Sequence, residues 1–180
     1  MRVLVACEYS GVVRDAFLKK GHYAWSCDLL PTESPGPHFQ KDVLDVLSEN
    51  TWDLLIAHPP CTYICHSGWH WTVREIREGI TTRHKKFQEG AHFFVKLLQA
   101  GVPRICIENP QPSGALMRWT RKYDQAVQPY YFGDDASKRT CLWLKGLDPL
   151  VIPPRKIGLD RVSLMDVLVG LIKQIVDKIN

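Results

Sequence analysis

Short apolar runs that break off at reactive polar residues constrain this chain most. Arg2–Cys7 (RVLVAC) stops at Glu8-Tyr9-Ser10-Gly11, and His22–Cys27 stops at Asp28. Trp52–Ala57 (WDLLIA) stops at His58-Pro59-Pro60-Cys61, and Arg104–Ile107 (RICI) at Glu108-Asn109-Pro110. Runs of this length and β-branched content read as buried strands. Segments of helical spacing lie between them. Val12–Lys20 puts Val13, Phe17 and Leu18 on one face before Gly21. His84–Ala100 does the same with Phe87, Ala91, Phe94, Val95 and Leu98 before Gly101 and Pro103. Strands alternating with helices predict an α/β fold with a mostly parallel sheet and helices on both faces. Ligands of such sheets bind beyond the carboxyl ends of the strands, which is where Glu8, Asp28, Asp42, His58–Cys61 and Glu108-Asn109 fall.

The rest of the chain fills in around this frame. Pro31–Pro37 is a loop rich in proline and glycine, His38–Asp42 a short strand and Val43–Leu47 a helical turn. Thr62–Arg83 has no clean period and is expected as an active-site loop with some helix. Val127–Phe132 and Arg139–Leu144 are expected as two antiparallel strands, and Ser163–Ile179 as a terminal helix.

With 180 residues, 45% hydrophobic and 23% charged, the chain is expected to form a single domain over 1–180 with a real core. The composition excludes global disorder. No apolar run reaches membrane-spanning length, and the first residues lack a secretory apolar segment, so a cytoplasmic protein with no membrane partner is expected. The net charge of +4 is compatible with a polyanionic partner without requiring one. Cys7, Cys27, Cys61, Cys65, Cys106 and Cys141 are then expected as reduced thiols. Cys7, Cys27 and Cys106 fall inside predicted strands, where a thiol acts as a small buried hydrophobe.

Cys61 differs. Two prolines stiffen its turn and remove two backbone donors, holding the side chain at a strand end. A thiol there is either structural or a nucleophile. Glu108-Asn109 repeats the pattern on the next strong strand, and a carboxyl at a sheet edge can donate a proton or a hydrogen bond. A helix N-cap is the alternative for that pair. Glu8-Tyr9-Ser10-Gly11 precedes a helix without forming a phosphate loop, and Gly11 allows close approach to the backbone. Asp28 suits ribose hydroxyls. A ribose-bearing cofactor without phosphate, such as S-adenosyl-L-methionine, fits both facts.

Taken in order, these residues resemble the cytosine-5 DNA methyltransferases. Pro60-Cys61 is similar to that family's proline-cysteine motif, and Glu108-Asn109-Pro110 to its Glu-Asn-Val motif. Ala6–Gly11 stands in place of its glycine-rich turn, Asp28 in place of its ribose-binding acid, and Asp42-Val43 in place of its residues near the adenine. Ser137-Lys138-Arg139-Thr140 is similar to its Gln-x-Arg-x-Arg motif, and the terminal helix with Gly170 to its last motif. The resemblance implies a Rossmann-like methyltransferase fold using S-adenosyl-L-methionine. It also implies a covalent adduct of Cys61 with cytosine, with Glu108 on the base and Arg139 assisting. Glu8, Tyr9, Ser10, Gly11, Asp28, Leu29, Asp42, Val43 and Pro59 would hold the cofactor; Pro60, Asn109 and Lys138 would hold the substrate. This sequence departs from the family at Thr62, at Pro110 and in having one glycine in the first turn. Fewer than twenty residues separate Leu144 from the predicted terminal helix, so no separate target recognition domain is expected. The implied partner is DNA, as duplex, single strand or free cytosine nucleotide, with a homodimer or partner protein as a source of specificity. A compact enzyme of this kind would suit a phage.

Other readings remain open at this stage. His58-Pro59-Pro60 is similar to the Asp-Pro-Pro-Tyr turn of amino-group methyltransferases, although a neutral imidazole accepts on only one nitrogen. Cys61, Cys65, His66 and His70 hold types that bind zinc, but adjacent Cys65 and His66 cannot easily face one ion, and no metal is expected. Trp69 and Trp71 either pack the loop or stack on a base, with packing favoured; Trp25, Trp52 and Trp143 are expected in the core. An inactive methyltransferase-like module that binds nucleic acid or protein is the alternative of a different class.

Overall fold

The computed structural model describes residues 1–128, 131 and 138–152. The expected terminal helix, Gly170, Ser137 and most of the Tyr130–Phe132 run lie outside the described residues.

The first strand β1 (Arg2–Ala6) leads to helix α1 (Val12–Lys19), then to β2 (Tyr23–Asp28) and the short β3 (His38–Gln40). Helix α2 (Val43–Glu49) and β4 (Leu54–Ala57) follow. Two helices, α3 (His66–Arg77) and α4 (Thr82–Leu98), separate β4 from β5 (Arg104–Pro110). The order closes with α5 (Gly114–Trp119), β6 (Gln125–Val127) and β7 (Thr140–Lys145). The strands form one seven-stranded sheet in the order β3-β2-β1-β4-β5-β7-β6. All pairings from β3 to β5 are parallel, and β7 runs antiparallel to both β5 and β6. The chain therefore reverses direction in the sheet beside β1, whose two flanking crossovers leave on opposite sides. A cleft for ligand opens at that point.

Alternation along the strands sorts the core into two layers. Leu4 and Ala6 of β1, with Leu55 and Ala57 of β4, face α2, α4 and α5 and meet Val46, Phe87, Phe94, Leu97 and Trp143. Val3 and Val5, with Leu54 and Ile56, face α1 and meet Val13 and Phe17. Both faces of the parallel strands are covered, as their continuous apolar runs require. Trp52 and Trp143 are buried, and Trp25 stacks on Phe39 with ring centroids 4.4 Å apart.

Four expectations from sequence need correction. Thr62–Arg83 is mostly helix: α3 takes twelve residues of it. Its inward face is carried by Thr72, its one fully buried residue, and by the partly buried Trp69, rather than by a run of aliphatic side chains. Glu108–Pro110 belongs to β5 itself, because β7 continues pairing after β4 has ended. Ala57 pairs with Ile107, and beyond that point Glu108, Asn109 and Pro110 pair with Leu142, Cys141 and Thr140. The strand β6 runs over Gln125–Val127 and overlaps the expected Val127–Phe132 at Val127, while 129, 130 and 132 lie outside the described residues. Its register is set by Asp124, whose N–H donates to Leu142 O and whose carboxylate accepts from Leu144 N. Cys7 lies past the end of β1 with φ of 58°, a left-handed conformation uncommon for a side-chain-bearing residue. Helix α5 is an addition; Ser113 caps it by accepting from Leu116 N at 3.1 Å.

One buried ion organises the first crossover. Arg14 of α1 is fully buried. Its guanidinium donates to Asp15 Oδ1 at 2.8 Å, to the hydroxyls of Ser26 and Thr32, and to the carbonyl of Ser34 at 3.1 Å. The proline-rich loop is thereby pinned to α1 and to β2. A buried guanidinium is tolerable when its donors are met in this way. Arg14→Ala is expected to lower the unfolding free energy by about 3 kcal/mol, read from urea titration. A loss below about 1 kcal/mol would show that the loop is held by other contacts.

Candidate active site

The turn after β1 is built around Glu8. Its carboxylate accepts from Val13 N at 2.6 Å and Arg14 N at 3.3 Å, and Ser10 Oγ donates to it at 3.3 Å. These are orphan donors of the first turn of α1, and a carboxylate is favoured there by the helix dipole as well. Glu8 is thereby oriented by the helix at the wall of the cavity beyond β1. Gly11 adopts φ of 77°, and a Cβ there would lie 2.4 Å from the Arg14 guanidinium. The close approach that Gly11 permits is thus that of Arg14. Tyr9 is exposed, and with Ser10 and Cys7 it lines a cavity of about 310 Å³ that His58 and Glu108 close from the far side.

A second cavity of about 290 Å³ opens at the ends of β2 and β3. Asp28, Leu29, Asp42, Val43, Pro60 and Phe93 line it. Cys7 lines both cavities, so they adjoin. Asp28 Oδ1 accepts from Leu30 N at 3.0 Å, which fixes the carboxylate, and Asp42 Oδ1 caps α2 by accepting from Leu44 N at 2.8 Å. An oriented carboxylate beside apolar walls from Leu29, Val43, Pro60 and Phe93 suits a ribose and a purine ring. The donor set fits an adenosine-bearing cofactor such as S-adenosyl-L-methionine, with the adjoining cavity toward His58 and Glu108 for its reactive end.

The ends of β4 and β5 are sewn together. Asn109 Nδ2 donates to Pro59 O at 3.0 Å in a fully buried position. His58 Nδ1 lies 3.3 Å from Glu108 Oε2, both side chains mostly buried. Farther out, His66 N donates to Gln111 O at 2.8 Å and Ser113 N to Ile64 O at 2.9 Å. Cys65 also forms a bridge with Pro112. The segment carrying Pro60-Cys61 is thus fixed to the segment carrying Glu108-Asn109 from both sides.

Cys61 is half-buried, and its thiol is held above the usual cysteine range. Burial is the main cause; Cys65 and Glu108 act in the same direction, while the Lys138 ammonium opposes them. Burial pushes Cys7 and Cys106 to about 12, and Cys27 and Cys141 to about 11. Arg139 donates instead to Tyr123 Oη at 2.8 Å, its guanidinium 5.7 Å from that ring. Among the described residues no three His, Cys, Asp or Glu side chains converge as a metal site. No described helix is long and apolar enough to cross a membrane.

The arrangement brings together Cys61, Glu108, Asn109, Lys138, Pro59 and Pro60, and beside them Asp28, Leu29, Asp42 and Val43. It holds Glu8, Tyr9 and Ser10 at the wall of the adjoining cavity, sets Gly11 against Arg14, and pairs Arg139 with Tyr123. Sequence reasoning assigned no function to Cys7 and gave His58 only a weak place in an amine-binding turn. The register of β4 against β5 places His58 beside Glu108, which sequence separation alone does not indicate.

No family model matches this chain, and no curated protein does. Solved structures do. One is described provisionally as a DNA modification methyltransferase encoded within an E. coli prophage. It matches 93% of this chain with a TM-score of 0.50 at 14% identity. The 16S rRNA methylase RmtB matches 80% of this chain and 55% of its own, with TM-score 0.42 and 14% identity. An rRNA methylase from Escherichia coli matches 80% of this chain and 56% of its own, with TM-score 0.43 and 13% identity. This chain spans 54% of the length of the prophage protein. The first likeness, together with the sheet described above, establishes a Rossmann-like α/β fold, which this chain shares with the prophage protein.

The electrostatics of Cys61 carry a direct test. Its alkylation by iodoacetamide, followed by peptide mass spectrometry, is expected to be slower at pH 7.5 than that of a free cysteine and to keep rising well above pH 8.5. Lys138→Met, which removes the one opposing charge among the stated causes, is expected to slow it further. A rate that levels off near neutral pH would contradict the burial effect.

Proposed function

We propose that this chain transfers a methyl group from S-adenosyl-L-methionine to C5 of cytosine in DNA, through a transient bond between Cys61 and the base. The observation that carries this reading is the pairing of two strand ends. Pro60-Cys61 and Glu108-Asn109 are fixed to each other by the Asn109 to Pro59 bond and the His58–Glu108 contact, beside a cavity suited to an adenosine.

In this reading the Cys61 sulfur bonds to C6 of cytosine while its proton passes to water and the C5–C6 π pair shifts into the ring, toward C5 and N3. Because burial disfavours the thiolate, deprotonation accompanies addition. Glu108 hydrogen-bonds N3 and the exocyclic amine and stabilises the charge that builds on the ring. Asn109 keeps Glu108 and Cys61 at fixed separation through the Pro59 carbonyl. The cofactor supplies an electrophilic methyl group to C5. The C5 proton then leaves to a base, the sulfur–C6 bond breaks and Cys61 is restored. His58 holds Glu108 in place by its Nδ1 contact.

A single-stranded oligonucleotide containing 5-fluorocytosine tests this. With S-adenosyl-L-methionine present, an intact-mass shift of protein plus methylated oligonucleotide is expected, absent in Cys61→Ser. Glu108→Gln is expected to slow adduct formation about 10²-fold. His58→Ala is expected to slow it less, and to add little on the Glu108→Gln background, since the two act as a unit. Cofactor binding without any adduct would sink the cytosine-5 reading. Full additivity of the two substitutions would remove His58 from it.

A further inference from the structure

The twelve-residue helix α3 begins shortly after Cys61 and is anchored to the β5 loop by the His66 to Gln111 bond. One face packs inward: Trp69 meets Phe87 of α4 with ring centroids 4.9 Å apart, and Thr72 is fully buried. The outer side carries an open groove of about 930 Å³. His66, Trp69, His70, Val73, Arg74 and Arg77 line it, together with Glu78. Its wall is mostly ring and aliphatic surface, with guanidinium groups at one end.

The charge on this face is positive where it is free. Arg74 Nε donates to Glu78 Oε1 at 2.9 Å, which neutralises the carboxylate of the groove. Among the described residues, Arg77 has no ion-pair or hydrogen-bond partner, nor do the imidazoles of His66 and His70 have a hydrogen-bond partner. Next to the groove the Trp71 ring is 49% exposed, tilted against His70 at 4.7 Å and with the Arg74 guanidinium 5.9 Å from its centroid. Exposed rings beside the unpaired Arg77 guanidinium suit an unstacked nucleic acid strand. Every base has a π-face, and every phosphate carries a negative charge. A duplex keeps its bases stacked and offers none of them to such a groove.

We infer that α3 is the seat of a single-stranded nucleic acid segment flanking the nucleotide that reacts at Cys61. The inference deepens the reading of Cys61 and Glu108 as the reacting site by naming the form of its substrate. The strand enters along α3, with bases on His70 and Trp71 and a phosphate on Arg77, and reaches Cys61 at the start of the helix, where Lys138 supplies another charge. A site of this kind needs no domain to read a duplex groove.

The test is equilibrium binding, with no methyl transfer required. The probe is a fluorescein-labelled mixed-sequence DNA strand of about 12 nucleotides, followed by anisotropy on the full chain. The wild-type protein is expected to bind it, and an unlabelled duplex of the same sequence to compete at least about tenfold more weakly than the unlabelled strand. Trp71→Ala, and His70→Ala combined with Arg77→Ala, are each expected to weaken binding about tenfold. Arg77→Ala alone is expected to reduce the salt slope by about 0.7. Circular dichroism and cofactor binding, expected unchanged, separate these effects from misfolding. Unchanged strand affinity in both sets of variants would overturn the inference, as would equal or better competition by the duplex, or no wild-type binding. Strand binding through α3 without a 5-fluorocytosine adduct would leave this inference standing and remove the cytosine-5 chemistry. An adduct with unchanged binding by the α3 variants would do the reverse.

Discussion

The buried bond from the Asn109 amide to the Pro59 carbonyl, 3.0 Å long, joins the two strand ends on which the site is built. It exists because β5 outruns β4. Antiparallel β7 keeps pairing with Glu108, Asn109 and Pro110 after β4 has stopped at Ala57. The free end of β4 is left beside an ordered strand with a donor to spare. Proline supplies no N–H of its own, so the segment His58–Cys61 cannot extend the ladder and instead offers carbonyls. A rigid turn against a rigid strand end is how a cysteine and a glutamate remote in sequence come to share one place with little conformational freedom to lose on binding.

The same burial that gives order also sets the chemistry. A thiol withdrawn from water resists ionisation, and the nearby Glu108 charge adds to that resistance, with Lys138 opposing. Glu108 in turn meets His58. The site is thus a set of mutually dependent charges. A thiol that ionises less readily is a consequence of packing, and in the proposed reaction its activation belongs to the step in which the sulfur–carbon bond forms. Cys7 shows the cost of this compactness. It adopts a left-handed backbone where the two cavities meet, a strain that structures retain mainly where the surroundings over-determine it.

Much of this was legible in the sequence, for physical reasons. Buried parallel strands need continuous apolar runs, so β1, β2, β4 and the start of β5 stood out, and the polar residues after them marked the cleft. What escaped depended on partners. Nothing in Glu108-Asn109-Pro110 announces a strand, because β7 makes it one. Nothing near Glu8 and Gly11 in the sequence tells that Arg14 packs over Gly11 and that the α1 amides bond Glu8 at the wall of its cavity. Arg139 stood in the expected motif but bonds Tyr123, whose position follows from the fold of β6 and β7. Helix α3 hid because its inward face is carried by Trp69 and Thr72 rather than by a run of aliphatic residues.

The most direct test of the central claim follows the hydrogen on C5. Single-stranded DNA labelled with tritium at C5 of cytosine would be incubated with the protein and S-adenosyl-L-methionine carrying a ¹⁴C-methyl group. The account expects one tritium released to water for each methyl group gained, with 5-methylcytosine recovered after digestion, and neither event in Cys61→Ser. Methyl transfer with tritium retained would place the methyl group elsewhere on the nucleic acid and contradict a covalent role for Cys61.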